Sequence, residues 1–304
     1  MHIQNVLVPV DFSPASQLAV DFAAAFARKL GAQLTVLHVA ENDKSGKPAS
    51  DAKLELSKML SAAGARDMDV QTRMRTGNAE GEICAAIEDE FADIVVMGTH
   101  HHGLIGRLLA GSMTEDMLRK TPVPLLTLSS DAHPRPLTRI LFATDLTDSY
   151  PEGFRFALEL ARALGASLVV HYSVEPIPLS YGGSLPVIDD PTDKKLLAEH
   201  ARHKLSELES EGARQQVVVV SEVTEGAASE KILEAAEDLE CGLIVLTIHN
   251  KGLLERALLG STAERIVRDA RVPVLSLPVK DASNPIENKV HAEPLRILPT
   301  EAAE

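Results

Sequence analysis

The chain has 304 residues, with 44 acidic and 30 basic side chains and a formal net charge of −14. That balance excludes general nucleic-acid binding, which needs clustered Lys and Arg, but a small anion needs only a local group of donors. Trp is absent and aromatic residues make up 3%, so no base-stacking platform is expected either.

In chain order, the first copy of a repeated pattern places strands at Val6 to Val10, Leu34 to Val39, Val70 to Arg75, Asp93 to Gly98 and Val123 to Leu128. Helical periodicities of ten to fifteen residues separate them. Uninterrupted Val, Ile and Leu runs predict strands buried on both faces, hence a parallel sheet with helices on each side. The pattern then recurs. Asp11 pairs with Asp145 and Gly31 with Gly165 at an offset of 134; Gly111 pairs with Gly260 and Pro124 with Pro273 at an offset of 149. The extra 15 residues fall in SYGGSLPVIDDPTDKK, whose Gly, Pro and Asp content predicts a loop.

The expected organisation is therefore two tandem α/β domains, over 1–130 and 137–280, joined by the linker SSDAHPRPLT. A disordered tail is expected over 281–304. Runs such as Ile94-Val95-Val96-Met97 are too short to cross a bilayer, and MHIQNVLVPVDF carries no secretory signal. Cys84 and Cys241 form no disulfide framework and sit in no metal-ligand spacing. A cytoplasmic protein without a membrane or nucleic-acid partner is expected.

Parallel sheets bind ligands beyond the carboxyl ends of their strands. Asp11 follows the first strand and GTHHHGLIGRLLAGS (98–112) follows the fourth, so both reach that edge. Asp11 and Asp145 read equally as Asx turns or helix N-caps and as acceptors for a ribose or base. Ser112 with Glu115, and Ser261 with Glu264, have capping-box spacing. A helix start led by glycine also presents free amides and a positive dipole end to phosphate. His100, His101 and His102 diverge as neighbours must, which makes a poor metal site. No nucleophile, base and orienter emerge as a set.

Taken together, VLVPVDFS, LTVLHV, ADIVVMGTHHHG and LLAGSMTEDMLRKTPVPLL resemble the universal stress protein family. ILFATDLT, LVVHYS, CGLIVLTIHNKG and LLGSTAERIVRDARVPVLSL form a second copy. The resemblance covers about residues 1–280 and implies five-stranded parallel α/β domains of the adenine-nucleotide α-hydrolase-like, Rossmann-like type. Members of the family either bind ATP or do not, and they associate through their last strands, which a tandem chain pairs internally. ATP binders carry G-x2-G-x9-G-[ST] at this loop. Here the first copy has Gly98, His101 and Gly111-Ser112, and the second has Thr247, Asn250 and Gly260-Ser261.

By position, the resemblance implies that Pro9, Val10, Asp11 and Val39 surround adenine and that Gly98 meets the ribose. Gly111, Ser112, Met113 and Thr114 would meet the phosphates. In the second copy Asp145, Gly260 and Ser261 match, while Ala143 replaces the proline. His101 departs from the pattern: it adds bulk where glycine lets the backbone approach phosphate, and it also offers a donor. The expectation is a stress-response protein that binds ATP, with or without Mg²⁺, mainly in domain 1, with domain 2 degenerate. The alternatives are a dimerising scaffold without nucleotide, and a slow ATPase.

Overall fold

A computed structural model of the chain describes residues 3–40, 49–65, 67–99, 112–147, 150–175, 191–250 and 260–280. The first half contains β1 (Asn5–Val10), α1 (Pro14–Leu30), β2 (Gln33–Ala40), α2 (Ala49–Ala62), β3 (Val70–Thr76), α3 (Ala79–Asp89), β4 (Ile94–Thr99), α4 (Ser112–Lys120) and β5 (Leu125–Ser129). The second half repeats the order as β6 (Arg139–Ala143), α5 (Tyr150–Leu164), β7 (Ser167–Val174), α6 (Pro191–Arg214), β8 (Val219–Glu225), α7 (Ala228–Asp238), β9 (Leu243–Asn250), α8 (Ser261–Asp269) and β10 (Val274–Lys280).

The ten strands form one sheet in the order β3-β2-β1-β4-β5-β10-β9-β6-β7-β8. Every contact within a half is parallel, as the apolar runs require. The one antiparallel contact is the seam, where Leu126 faces Leu275 and Thr127 faces Val274. Thr127 Oγ1 donates to the Val274 carbonyl across it at 3.3 Å. The last strands of the two domains are thus paired within the chain. Around the seam α4 lies against β9 and α8 against β5, so each half covers part of the other's sheet.

Strands at the centre are apolar because both of their faces are covered: Ile94, Val95 and Val96 are wholly buried. One face packs with α1 and α5 through Val8, Val36, Phe26, Phe142 and Leu158; the other packs with α3 and α7 through Leu7, Val95, Ile87, Ile232 and Ile244. Val123 and Pro124 precede β5 rather than beginning it, since proline has no amide to give a central ladder. α1 begins where Ser13 accepts from the Ser16 amide with Pro14 behind it, and ends at Gly31 with φ of 68°.

The linker keeps its place between β5 and β6, while one loop expectation changes. The segment after Ser129 is pinned: Arg135 reaches the carbonyl of Ala236 at the end of α7 and pairs with Glu237 at 2.7 Å, and His133 donates its amide to Arg271. Gly242 is required there, because a Cβ would lie 2.5 Å from the Pro136 carbonyl oxygen. The end of the insertion, PTDKK, is the first turn of α6, a helix of 24 residues against 14 in α2. The rest of the insertion and the tail lie outside the described residues.

Domain 2 buries an imidazole. His171 on β7 is wholly buried, shares a 3.1 Å hydrogen bond with Thr224 Oγ1 through Nε2, and has no partner for Nδ1 among the described residues. Burial pushes its pKa down to about 4 from 6.5. The folded state therefore holds His171 neutral. Its contribution to stability is intact above about pH 6.5 and is lost as pH falls from there toward 4, by up to about 3 kcal/mol. His171→Leu, which restores the residue type of Leu37 in domain 1, will flatten that limb. Urea midpoints of both proteins at pH 7 and pH 4.5 check this: wild type loses more than the variant.

Candidate functional site

The strand order reverses between β1 and β4, and there the two strands hold together only at Val6–Ile94 and Leu7–Val95. Beyond those pairs β1 runs on to Val10 and β4 to Thr99 without a ladder, so a crevice opens at the carboxyl edge. That is where doubly wound sheets take ligands. Domain 2 repeats it, with β6 and β9 paired only from Ile140–Leu243 to Phe142–Val245.

Asp11 stands at the mouth of the first crevice. Its Oδ1 accepts from the Ser13 amide at 3.0 Å and from Ser16 Oγ at 2.5 Å, while its own amide donates to Ser16 Oγ at 3.1 Å. It is an Asx turn, and the helix cap is Ser13. Between them Phe12 takes φ of 64°, a conformation that costs an apolar L-residue about 1–2 kcal/mol. Asp145 makes the same turn: its Oδ1 accepts from the Thr147 amide at 3.0 Å and hydroxyl at 2.7 Å, and Leu146 has φ of 57°. Strain of this kind, found twice at equivalent sites, marks a conformation the surroundings enforce.

Of the other expected residues, Pro9 and Val39 are half-buried at the strand ends and Val10 is buried. Met113 is half-buried in the first turn of α4 and the Thr114 side chain is buried, so what this turn has to offer a ligand is its backbone amides rather than these side chains. Gly260 and Ser261 are exposed at the start of α8. His101 and Gly111, with the rest of 100–111, lie outside the described residues, and of Ser112 only its place at the head of α4 is described.

The capping-box expectation does not hold in domain 2. Gly260 is the N-cap without a side-chain bond, so Ser261 falls one residue too late to cap. In α4, likewise, Ser112 is already helical and Glu115 pairs with Arg119. α8 therefore begins with amides that no side-chain cap satisfies among the described residues.

Gly98 has an intramolecular reason to be glycine. A Cβ there would lie 2.2 Å from the Ala15 carbonyl oxygen, so the first turn of α1 rests directly on the end of β4. Domain 2 makes the approach differently. Thr247 occupies the strand position, and the helix supplies the gap instead: a Cβ on Gly153 would lie 2.6 Å from the Thr247 methyl. Gly153 matches Ala19, one turn beyond Ala15, so in domain 2 the room for the strand side chain comes from a helix position one turn further on.

The described cavity lies elsewhere, at the opposite edge of domain 2. It holds about 250 Å³ between the ends of α7 and α8 and is lined by Leu233, Ala236, Ile244, Val272, Glu237 and Arg271. It has no link to the crevice chemistry. Among the described residues no group of His, Cys, Asp and Glu could hold a metal, and no helix is long and apolar enough to cross a membrane.

Fold and crevices define a tandem, doubly wound α/β protein with one strand-order crevice per domain. Comparison with known proteins is specific: the universal stress protein family matches residues 2–129 and again 136–278, and the chain belongs to that family. A universal stress protein of Methanocaldococcus jannaschii is 32% identical over 140 residues, spanning 45% of this chain and 79% of its own. One of Mycobacterium bovis is 26% identical over 244 residues, spanning 75% of this chain and 83% of its own. The crystal structure of a universal stress protein from Archaeoglobus fulgidus superposes with a TM-score of 0.66 over 91% of this chain and 99% of that one, at 19% identity.

The packing role of Gly98 is separable from any ligand role. Gly98→Ala will destabilise domain 1 by about 1–3 kcal/mol in ligand-free protein, the range for overpacking against backbone. Chemical denaturation without nucleotide checks it; unchanged stability would show that α1 can lift from β4.

Proposed function

We propose that the chain binds an adenine nucleotide, ATP foremost, in the crevice of domain 1, and that domain 2 is its degenerate, structural or regulatory partner. One observation carries the reading: Asp11 is held on a strained turn at the point where β1 and β4 part. A carboxylate fixed there accepts hydrogen bonds from ribose hydroxyls. Pro9, Val10 and Val39 offer the apolar walls that a base needs, and the backbone at Gly98 faces the sugar.

The amides of Gly111, Ser112, Met113 and Thr114 at the head of α4 meet the phosphates, with Mg²⁺ as their counterion. His101 supplies a further donor in place of the family's second glycine. In domain 2 Asp145, Gly260 and Ser261 keep the acceptor and the helix start. Ala143 and Thr247 replace Pro9 and Gly98, and the Thr247 methyl packs toward Gly153 of α5. The role is ligand-gated signalling in stress, in the cytoplasm, rather than turnover.

Calorimetry with ATP and Mg²⁺ tests the proposal on the whole chain. One nucleotide per chain is expected. Asp11→Ala will weaken it by about tenfold or more, the scale of a lost hydrogen bond to a charged group, whereas Asp145→Ala will leave it unchanged. The second variant removes the same local turn bonds in the other domain, so it controls for loss of structure. No heat at about 1 mM nucleotide, where binding is worth only about 4 kcal/mol, overturns the reading, as does equal loss in both variants.

A further inference from the structure

His38 is absent from the residues considered so far, yet it touches the chain on both sides of Asp11. β1 and β2 run in register to Val10 and His38. There the His38 ring turns back on its neighbour: Nδ1 lies 3.0 Å from the Val10 carbonyl oxygen. A carbonyl only accepts, so Nδ1 carries the proton. The same ring packs on Phe12, with centroids 4.3 Å apart and planes tilted by 38°. Phe12 is the residue forced to a φ of 64°. One imidazole thus holds residue 10 by its carbonyl and residue 12 by its ring, with Asp11 between them.

Domain 2 fastens its turn differently. Tyr172 stands where His38 does, and Thr144 stands where Val10 does. Thr144 Oγ1 accepts from the Leu146 amide at 3.0 Å, so a hydroxyl within the turn does the work that an imidazole does from the next strand in domain 1. Burial raises the pKa of Tyr172, and the nearby carboxylates of Asp145 and Glu175 add to the rise.

We infer that His38 is the positioning residue of the domain 1 crevice, clamping Val10 and Phe12 so that Asp11 is presented to a ligand. The inference rests on the proposed nucleotide reading for its functional consequence, but its structural core does not need a ligand. Three variants of the full chain separate the two contacts. His38→Asn places an amide nitrogen near the position of Nδ1 and keeps the donor without the ring. His38→Phe keeps a ring without the donor, and His38→Ala removes both.

Two readouts are taken on each. Hydrogen exchange of the Asp11 and Ser13 amides, which donate to Ser16 Oγ and Asp11 Oδ1, reports the turn without ligand. Calorimetry with ATP reports the crevice. His38→Ala is expected to speed exchange of those amides and weaken ATP each by about tenfold, the scale of one side-chain hydrogen bond with its packing. His38→Asn recovers most of both and His38→Phe recovers less, while amides of the distant seam strands β5 and β10 keep wild-type rates in all three. Exchange unchanged in His38→Ala overturns the inference, as does full ATP affinity in that variant when the wild type binds. Faster exchange in His38→Ala, with a wild-type protein that takes no ATP, would sink the nucleotide reading and leave the clamp standing.

Discussion

The antiparallel pairing of β5 with β10 governs the rest of the molecule. Each half is a parallel sheet, and parallel strands all deliver their carboxyl ends to the same edge. Joining two such sheets by an antiparallel seam sends the two carboxyl edges in opposite directions. The crevices that begin at Asp11 and Asp145 therefore open at opposite ends of one continuous sheet. The seam also removes what would otherwise be two exposed strand edges, leaving β3 and β8 as the outer strands. The linker is held to the second half, through Arg135 on Glu237 and the close approach of Pro136 to Gly242.

Within this frame the duplicated halves reach one backbone path by different side-chain means. The strained turn after β1 is stabilised by His38 from the neighbouring strand, and that after β6 by Thr144 from within. Close approach of the first helix to the fourth strand is allowed by Gly98 in one half and by Gly153 in the other. Close packing explains why such changes come in pairs: a side chain added on one side of a contact needs an equal space opposite. A glycine in a family pattern can thus answer to a neighbouring helix as well as to a ligand.

Much of the architecture was legible because it follows from period and composition. Four-residue apolar runs separated by helical periods specify a covered parallel sheet, and the double offset exposes the tandem repeat. The resemblance supplied the seam, which no local pattern encodes. The capping-box spacing of Ser261 and Glu264 falls one residue late, since Gly260 and not Ser261 is the N-cap of α8. Phe12, Leu146, Phe91 and Glu240 all take positive φ where sequence rules would ask for glycine or asparagine. At Phe12 the ring of His38, from the next strand, sets that conformation, so no local signal marks it; Phe91 and Glu240 are exposed and close the ends of α3 and α7 through local backbone hydrogen bonds. His38 itself read as part of a strand, because its hydrogen bond runs to a carbonyl 28 residues away in sequence.

The buried polar groups of domain 2 extend the same logic to its interior. Where domain 1 has Leu37 and Arg73, neighbours in register on β2 and β3, domain 2 has His171 and Glu222 on β7 and β8. Arg73 leaves the sheet to pair with Glu90 at 2.5 Å. At the position of Glu90 domain 2 has Leu239, so the ion pair has lost both members. Glu222 is left with a buried oxygen lacking a partner among the described residues, and burial together with the charge of Asp238 raises its pKa. A domain kept chiefly for its fold would be expected to drift toward an apolar pair here, because unpaired buried groups cost stability. Domain 2 retains an imidazole and a carboxylate side by side instead. Its divergence from domain 1 is thus a change of chemistry as well as a loss of glycines at the crevice.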